Sequence, residues 1–207
     1  ISEHFGFDLV PPTTLRTIDG QIGSLQLFMP YERYKLASEA LLKLADEDSQ
    51  SFMESTDVRN MAALDWIIAN GDRHVNNYMA KVDAEKRPIL TNGAPELIAI
   101  DNGLAFNSTF YNVKGGSRRE LPGPYQFMMW NDIEKKLVST PLPPELRDRV
   151  ARGYDNRMAI SEALLSLPDI EEAEIERMWQ RTKALVDTGV FLSSTNKDAE
   201  LAKIKPR

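Results

Sequence analysis

One short stretch of the chain carries most of the side chains that could do chemistry. Residues 70–77 read Asn-Gly-Asp-Arg-His-Val-Asn-Asn and contain one of the two histidines of the sequence. A second polar stretch, residues 101–103 with the sequence Asp-Asn-Gly, follows the apolar residues 97–100. Carboxylate and amide oxygens are the ligands that hard cations such as Mg2+ prefer in proteins. The two stretches lead to the hypothesis of one shared site for a metal ion and phosphate groups.

The spacing within the first stretch suits phosphoryl transfer. Asp72 and Asn77 lie five positions apart. In such reactions an acid receives the proton of the attacking hydroxyl, and a following asparagine binds a metal ion. Asp101, at the end of an apolar strand, has the position of the acid that bridges magnesium to the nucleotide phosphates.

Each of these residues also has a purely structural interpretation. Asp72 could cap a turn or pair with Arg73, and Asn77 could be an ordinary turn residue. His74 by itself is more typical of a histidine that bonds a backbone carbonyl, and residues 101–103 alone are typical of a hairpin turn. The order along the chain is a helix, the acidic loop, a strand, an apolar strand and residues 101–103, here called the acidic triplet. This order favours the chemical interpretation over the structural one.

Composition excludes several other classes of protein. The 207 residues suit one domain or a compact two-part body, and the sequence has no run of about eighteen apolar residues that could span a membrane. The absence of cysteine excludes disulfide frameworks, thiol catalysis and thiolate metal sites, and it fits a reducing compartment, so we predict a cytoplasmic location. The net charge of -6 argues against a general nucleic-acid binder.

The first half of the chain is predicted to mix strands and helices. Residues 19–20, Asp-Gly, form a typical hairpin turn between strands at residues 9–16 and 23–29. Apolar residues at helical spacing predict helices over residues 35–45 and 55–68.

The second of these helices should present the acidic loop. Asp65 lies on its apolar face, where a carboxylate needs a partner. Gly71 is expected to let the chain leave the helix. Strands are expected at residues 78–82 and 97–100, and residues 104–124 show little periodicity.

The remainder is predicted to be helical, with Asp169 as the N-cap of the last helix. The predicted helices cover residues 125–137, 144–154, 157–165 and 170–192.

The two polar stretches resemble the phosphatidylinositol 3-/4-kinase superfamily. The resemblance rests on residues 71–77, Gly-Asp-Arg-His-Val-Asn-Asn, and residues 100–106, Ile-Asp-Asn-Gly-Leu-Ala-Phe. It is closest to the bacterial phosphatidylinositol-kinase-like proteins and the secretory-pathway protein kinases, which share D-R-H-x-x-N and D-N-G. Residues 9–13 and 23–28 also resemble the strand pair that leads to the hinge in the bacterial members. The resemblance covers roughly residues 1–130.

The resemblance implies an α+β, protein-kinase-like bilobal fold, mostly the helical large lobe with a partial small-lobe sheet. Residues 1–30 would be the remnant of the small lobe and the hinge strands, residues 31–192 the large lobe, and residues 193–207 a flexible tail. It also implies that Asp72 is the catalytic base. The residues expected to bind ATP at the hinge are Leu27, Phe28 and Met29, and those expected to hold the metal against the nucleotide are Asn77 and Asp101.

Two further features bear on activity. His74 could instead assist proton transfer, as proposed for the lipid-kinase branch, and Arg73 should pair with a carboxylate. In this superfamily a phosphate loop, an ATP-binding lysine and a helix glutamate precede the strand at residues 9–16. Because the sequence begins at Ile1, we expect either a fragment of a longer kinase or a form without that clamp, and Lys35 follows the hinge and does not replace the lysine.

The resulting hypothesis is a kinase that depends on ATP and on Mg2+, or Mn2+ in its place, and phosphorylates a hydroxyl acceptor. A protein acceptor is favoured over a lipid because no long basic run lies near the motifs. A pseudokinase or nucleotide-binding regulatory module is the alternative. A third interpretation is a metal-dependent hydrolase that uses Asp72, His74 and Asp101. Residues 108–119 have the position of an activation segment, whose basic residues either attract an anionic substrate or belong to an ordinary solvated loop; these are Lys114, Arg118 and Arg119.

Overall fold

The computed structural model describes residues 1–40, 55–70, 73–91, 94–103, 105–106, 109–111, 118–120, 140–168 and 170–191. These residues mix helices with small antiparallel sheets, which confirms the mixed α and β content predicted from the sequence. The strands are β1 (Thr13–Ile18), β2 (Gln21–Gln26), β3 (Tyr34–Leu36), β4 (Tyr78–Lys81), β5 (Leu90–Thr91), β6 (Ala94–Pro95), β7 (Leu97–Ala99), β8 (Thr109–Tyr111) and β9 (Arg118–Glu120). The helices are α1 (Ala37–Ala40), α2 (Thr56–Ile68), α3 (Pro144–Asp155), α4 (Arg157–Leu165) and α5 (Glu172–Thr188).

Helix α2 is the central helix of the described structure, and it confirms the helix predicted over residues 55–68. The hydroxyl of Ser55 caps its first turn by accepting a hydrogen bond from the Val58 amide at 3.3 Å. Every residue from 60 to 68 is buried. A helix segment that is buried on all sides belongs to the core, so α2 is a firm support for the residues that follow it.

The end of α2 differs from the prediction. The residue in the left-handed conformation is Ala69, with φ 53°, and Gly71 lies outside the described residues. The Asn70 amide donates to the Asp65 carbonyl at 2.9 Å, which closes the last turn. A left-handed alanine is strained, so tertiary contacts must hold it in place.

A three-stranded antiparallel sheet, in the order β3-β4-β7, lies beside α2. Strands β4 and β7 confirm the strands predicted over residues 78–82 and 97–100. The helix predicted over residues 35–45 is wrong at its start, because residues 34–36 pair with β4 and the helix begins only at Ala37. The rest of that prediction, residues 41–45, lies outside the described residues.

The predicted hairpin at residues 19–20 is confirmed. Asp19 and Gly20 have φ values of 51° and 78°, as a tight turn between right-twisted strands requires. Strand β1 begins at Thr13, later than predicted, because Pro11 and Pro12 have no amide hydrogen to give to a ladder. All residues of both strands are exposed.

The C-terminal helices pack on one another and on the N-terminal segment. Helices α3 and α4 agree with the predicted ranges, whereas residues 125–137 lie outside the described residues. The N-cap of α5 is Glu171, which forms a capping box with Glu174; the predicted cap, Asp169, also lies outside the described residues. The ring of Phe5 stacks on Trp179 of α5, with 6.3 Å between the ring centroids.

Within the described ranges, no helix combines the length and the apolar character needed to cross a membrane.

Candidate functional site

The pairing of β4 with β7 brings the two polar stretches together. Tyr78 lies opposite Ala99, and just beyond the ladder the Ile100 amide donates to the Asn77 carbonyl at 3.1 Å. Asn77 and Asp101 are therefore on the ends of neighbouring strands, although they are far apart in sequence. Asp72 lies outside the described residues.

Arg73 connects the elements around this position. Its side chain is fully buried and forms an ion pair with the equally buried Asp65 of α2, with 3.0 Å between Nη2 and Oδ1. Its Nη1 donates to the Asn77 carbonyl and, at 2.6 Å, to the Ile100 carbonyl, and its Nη2 donates to Oδ1 of Asn102. One guanidinium thus bonds α2, the loop of residues 70–77 and the acidic triplet.

The Asp65–Arg73 pair confirms two expectations from the sequence: an acid on the apolar face of α2 has a partner, and Arg73 pairs with a carboxylate. Burial raises the pKa of the Asp65 carboxyl. Arg73 acts against that rise, as does the side-chain amide of Asn70, which donates to Oδ1 of Asp65 at 3.2 Å. The contact of Arg73 with Asn102 was not expected. Moving two charges from water into the interior costs much of the free energy that their attraction provides. The pair therefore serves chiefly to fix the geometry of the segments that it joins.

His74 is half-buried and belongs to a local turn. Its Nδ1 accepts a hydrogen bond from the Asn76 amide at 3.2 Å, and its carbonyl accepts one from the Asn77 amide at 2.8 Å. With Nδ1 acting as acceptor, a neutral ring carries its hydrogen on Nε2. Asn77 is only 4% exposed.

Asp101 has an exposed side chain on an unusual backbone. Its φ of 50° places a non-glycine residue in the left-handed region, and Phe106 has a φ of 60°. Strain of this kind is concentrated at functional sites, where the surrounding structure maintains it. Here the Phe106 amide donates to the Ile68 carbonyl at 2.7 Å, so the segment after the triplet is attached to the end of α2.

The three predicted hinge residues directly follow strand β2. Leu27 and Phe28 are exposed, Met29 is half-buried, and the Leu27 amide bonds the Pro12 carbonyl at 2.9 Å. A cleft of about 630 Å³ adjoins Asn102. None of the three hinge residues is among the described residues that line this cleft.

The basic residues proposed for the activation segment fall partly in a hairpin. Strands β8 and β9 pair antiparallel, with Arg118 opposite Tyr111 and Arg119 opposite Phe110. Lys114 lies outside the described residues.

The side-chain oxygens of Asn77 and Asp101 suit a magnesium ion that also binds phosphate. Among the described residues, no group of three or more His, Asp or Glu side chains could hold a metal ion. Asn77 and Asp101 supply one amide and one carboxylate, and Mg2+ commonly takes one or two protein oxygens together with substrate phosphates and water. Asn77 and Asp101 therefore fit a metal ion that binds together with a nucleotide.

Part of the chain matches a known protein family. Residues 21–122 match the family model of the phosphatidylinositol 3- and 4-kinase domain. The matched segment includes α2, both polar stretches and the sheet that joins them. The predicted resemblance to the phosphatidylinositol 3-/4-kinase superfamily is confirmed, and it supports a kinase-type phosphotransferase.

A solved structure is also similar to the chain. The crystal structure of the Helicobacter pylori proinflammatory kinase CtkA is 12% identical in sequence, with a TM-score of 0.48, and the alignment covers 100% of this chain and 79% of that one. No curated protein matches the chain.

Proposed function

We propose that this chain contains the catalytic and metal-binding loops of an ATP- and magnesium-dependent kinase that phosphorylates a hydroxyl group, on a protein rather than a lipid. The observation that carries the proposal is the Arg73 network. It holds Asn77 and Asp101 on adjacent strand ends and lies directly beside Asp72 in the chain. In this proposal Asp72 would supply the acid for the acceptor hydroxyl, and Asn77 and Asp101 would supply two oxygen donors for a metal.

Each residue has a distinct role in this proposal. Asp72 orients the acceptor hydroxyl and takes its proton, and His74 offers a second group able to move that proton. Asn77 and Asp101 hold Mg2+, which when bound neutralises charge on the phosphates. Arg73 keeps both loops in register without touching the nucleotide.

The bilobal arrangement is part of the same proposal. The β1–β2 hairpin and residues 27–29 would belong to the small lobe and hinge, and residues 31–192 to the large lobe. Adenine would then bind beside Leu27, Phe28 and Met29, and the phosphates would extend toward Asp101.

The test is phosphate transfer from radiolabelled Mg-ATP to protein acceptors, with Asp72→Asn and Asp101→Ala as variants. Each should reduce turnover by about a hundredfold or more, because a proton acceptor or a metal ligand is lost. Asp148→Asn, an exposed acid on α3, is the matched control and should leave the rate unchanged. Equal turnover in the wild type and both site variants would refute the proposal. If Mg-ATP raises the melting temperature without any turnover, the chain is a nucleotide-binding regulatory module instead.

A further inference from the structure

The C-terminal end of α2 is held by a residue from a distant helix. Arg181 of α5 donates from Nε to the carbonyls of Trp66 at 3.0 Å and Ile67 at 3.1 Å, and from Nη2 to Ile67 at 2.9 Å. The indole nitrogen of Trp66 donates back to the Arg181 carbonyl at 3.2 Å. The last four carbonyls of a helix have no partner within the helix, so Arg181 supplies bonds that α2 itself cannot make.

The two remaining end carbonyls of α2 also have partners. The Asp65 carbonyl accepts from the Asn70 amide, and the Ile68 carbonyl accepts from the Phe106 amide. Asn70 is the first residue of the loop that carries Asp72. The direction in which the chain leaves α2 is therefore set by one bond from Asn70 back to α2, one bond from the segment after the acidic triplet, and the Arg181 bonds from α5.

The chemistry of arginine suits this position. The C-terminal end of a helix carries a partial negative charge, which a nearby cation stabilises. A planar guanidinium can bond two adjacent carbonyls at once in a fixed geometry, whereas a lysine ammonium is a point charge on a flexible chain. Arg181 is half-buried, so water competes weakly for these bonds.

We propose that Arg181 is a positioning residue for phosphotransfer: it acts through the end of α2 to hold Asn70 and residues 73–77 in their productive orientation. This inference rests on the function proposed above. Arg181 bonds backbone carbonyls of α2, and its influence reaches the site through the strained exit at Ala69.

The experiment compares Arg181→Met and Arg181→Lys with the control Arg177→Met in the full chain. Arg177 is an exposed arginine one turn earlier on the same helix, and its Nε donates to the Ala173 carbonyl of its own helix at 3.1 Å. The control therefore removes the same side chain from the same helix without touching α2.

Two readouts are needed. Amide hydrogen exchange reports the loop directly, because the amides of Asn70 and Asn77 are both hydrogen-bonded. Steady-state kinetics with Mg-ATP report the consequence for catalysis. Arg181→Met should raise exchange at the two amides by about tenfold and lower kcat by about tenfold, since bonds to a charged donor are lost. The KM for Mg-ATP should change little, α3 amides should exchange as in the wild type, and Arg181→Lys should restore part of both effects.

The outcomes separate the possibilities. The inference is overturned if Arg181→Met leaves loop exchange at the level of Arg177→Met, or if exchange rises equally in α3, which would indicate only general destabilisation. If Arg181→Met does not fold, Arg181→Lys decides, and wild-type exchange and kcat in that variant count against the inference. A wild type without turnover would defeat the proposed kinase function, while loop exchange would still show whether Arg181 orders the loop.

Discussion

Replacing Arg73 with methionine removes the residue that joins α2 to both polar stretches. Methionine has a similar length but leaves the Asp65 carboxylate buried without a counter-charge, and it leaves the Ile100 carbonyl without this donor. Breaking a fully buried ion pair on one side costs about 3–5 kcal/mol. At about 2–4 °C for each kcal/mol in a chain of this size, the melting temperature should fall by roughly 6–20 °C.

A second arginine provides a matched control. Arg87 also lies 3.0 Å from an aspartate, Asp83, but its side chain is 62% exposed. Exposed pairs contribute about 0–1 kcal/mol, so Arg87→Met should change the free energy of unfolding by no more than that. Equal distances with different burial make the comparison a test of burial itself.

The loss should also depend on pH. Burial already raises the pKa of Asp65, and without Arg73 only the hydrogen bond from the Asn70 side chain still opposes that rise. A carboxyl whose folded pKa lies above its unfolded value makes its full contribution to stability below the unfolded pKa, about 3.9, and that contribution is lost as the pH rises through the folded pKa. Arg73→Met should therefore be most destabilised, relative to the wild type, near neutral pH.

Urea unfolding at pH 5 and pH 7.5 measures these effects, and Asp65→Asn, alone and added to Arg73→Met, completes the double-mutant cycle. Because the double variant contains no unpaired buried charge, it should be more stable at pH 7.5 than Arg73→Met alone. A free energy for Arg73→Met within about 1 kcal/mol of the wild type, or no gain from the second substitution, would refute the reasoning.

Three smaller changes test other parts of the fold. Gly153→Ala puts a Cβ 2.4 Å from two ring carbons of the buried Phe5, so overpacking of about 1–3 kcal/mol should outweigh a helix-propensity gain of about 1 kcal/mol in urea unfolding; unchanged stability would mean that the ring moves aside. Ser55→Ala removes the oxygen that accepts from the Val58 amide and should cost about 1 kcal/mol by the same assay, with no loss arguing against the cap. Burial raises the pKa of Tyr78. The stability that this group contributes is fully present below its unfolded pKa of about 10, and above that pH the free energy of unfolding falls by about 1.4 kcal/mol per pH unit. Tyr78→Phe should remove that slope between pH 10 and 11, and equal slopes would contradict the prediction.

The parts of the fold that follow from local pattern were predictable. Residues 55–68 begin with a serine and carry apolar residues at helical spacing, and residues 97–100 form an apolar run before an acid. The need of Asp65 for a partner was also apparent, because a carboxylate among apolar residues rarely stands alone. The nearest basic residue after the helix, Arg73, is that partner.

The features that were missed depend on residues far apart in the chain. Strand β3 has only three residues, and its pairing with β4, not its own spacing, makes it a strand. The helix exit falls at Ala69, where Arg181 and Phe106 bond the carbonyls just before it, and Arg181 is 114 positions from Ile67. No window of neighbouring residues contains that information.

The β1–β2 hairpin has a practical consequence for work with the protein. It is a two-stranded ribbon whose exposed side chains include several large apolar ones, namely Leu15, Ile18, Ile22 and Leu25. Ribbons of this kind promote edge-to-edge association between molecules. The net charge of -6 opposes that association by mutual repulsion, which salt screens within about 10 Å at 0.1 M. We therefore expect association in concentrated solutions to be weakest at low ionic strength and at a pH away from the isoelectric point near 5.1.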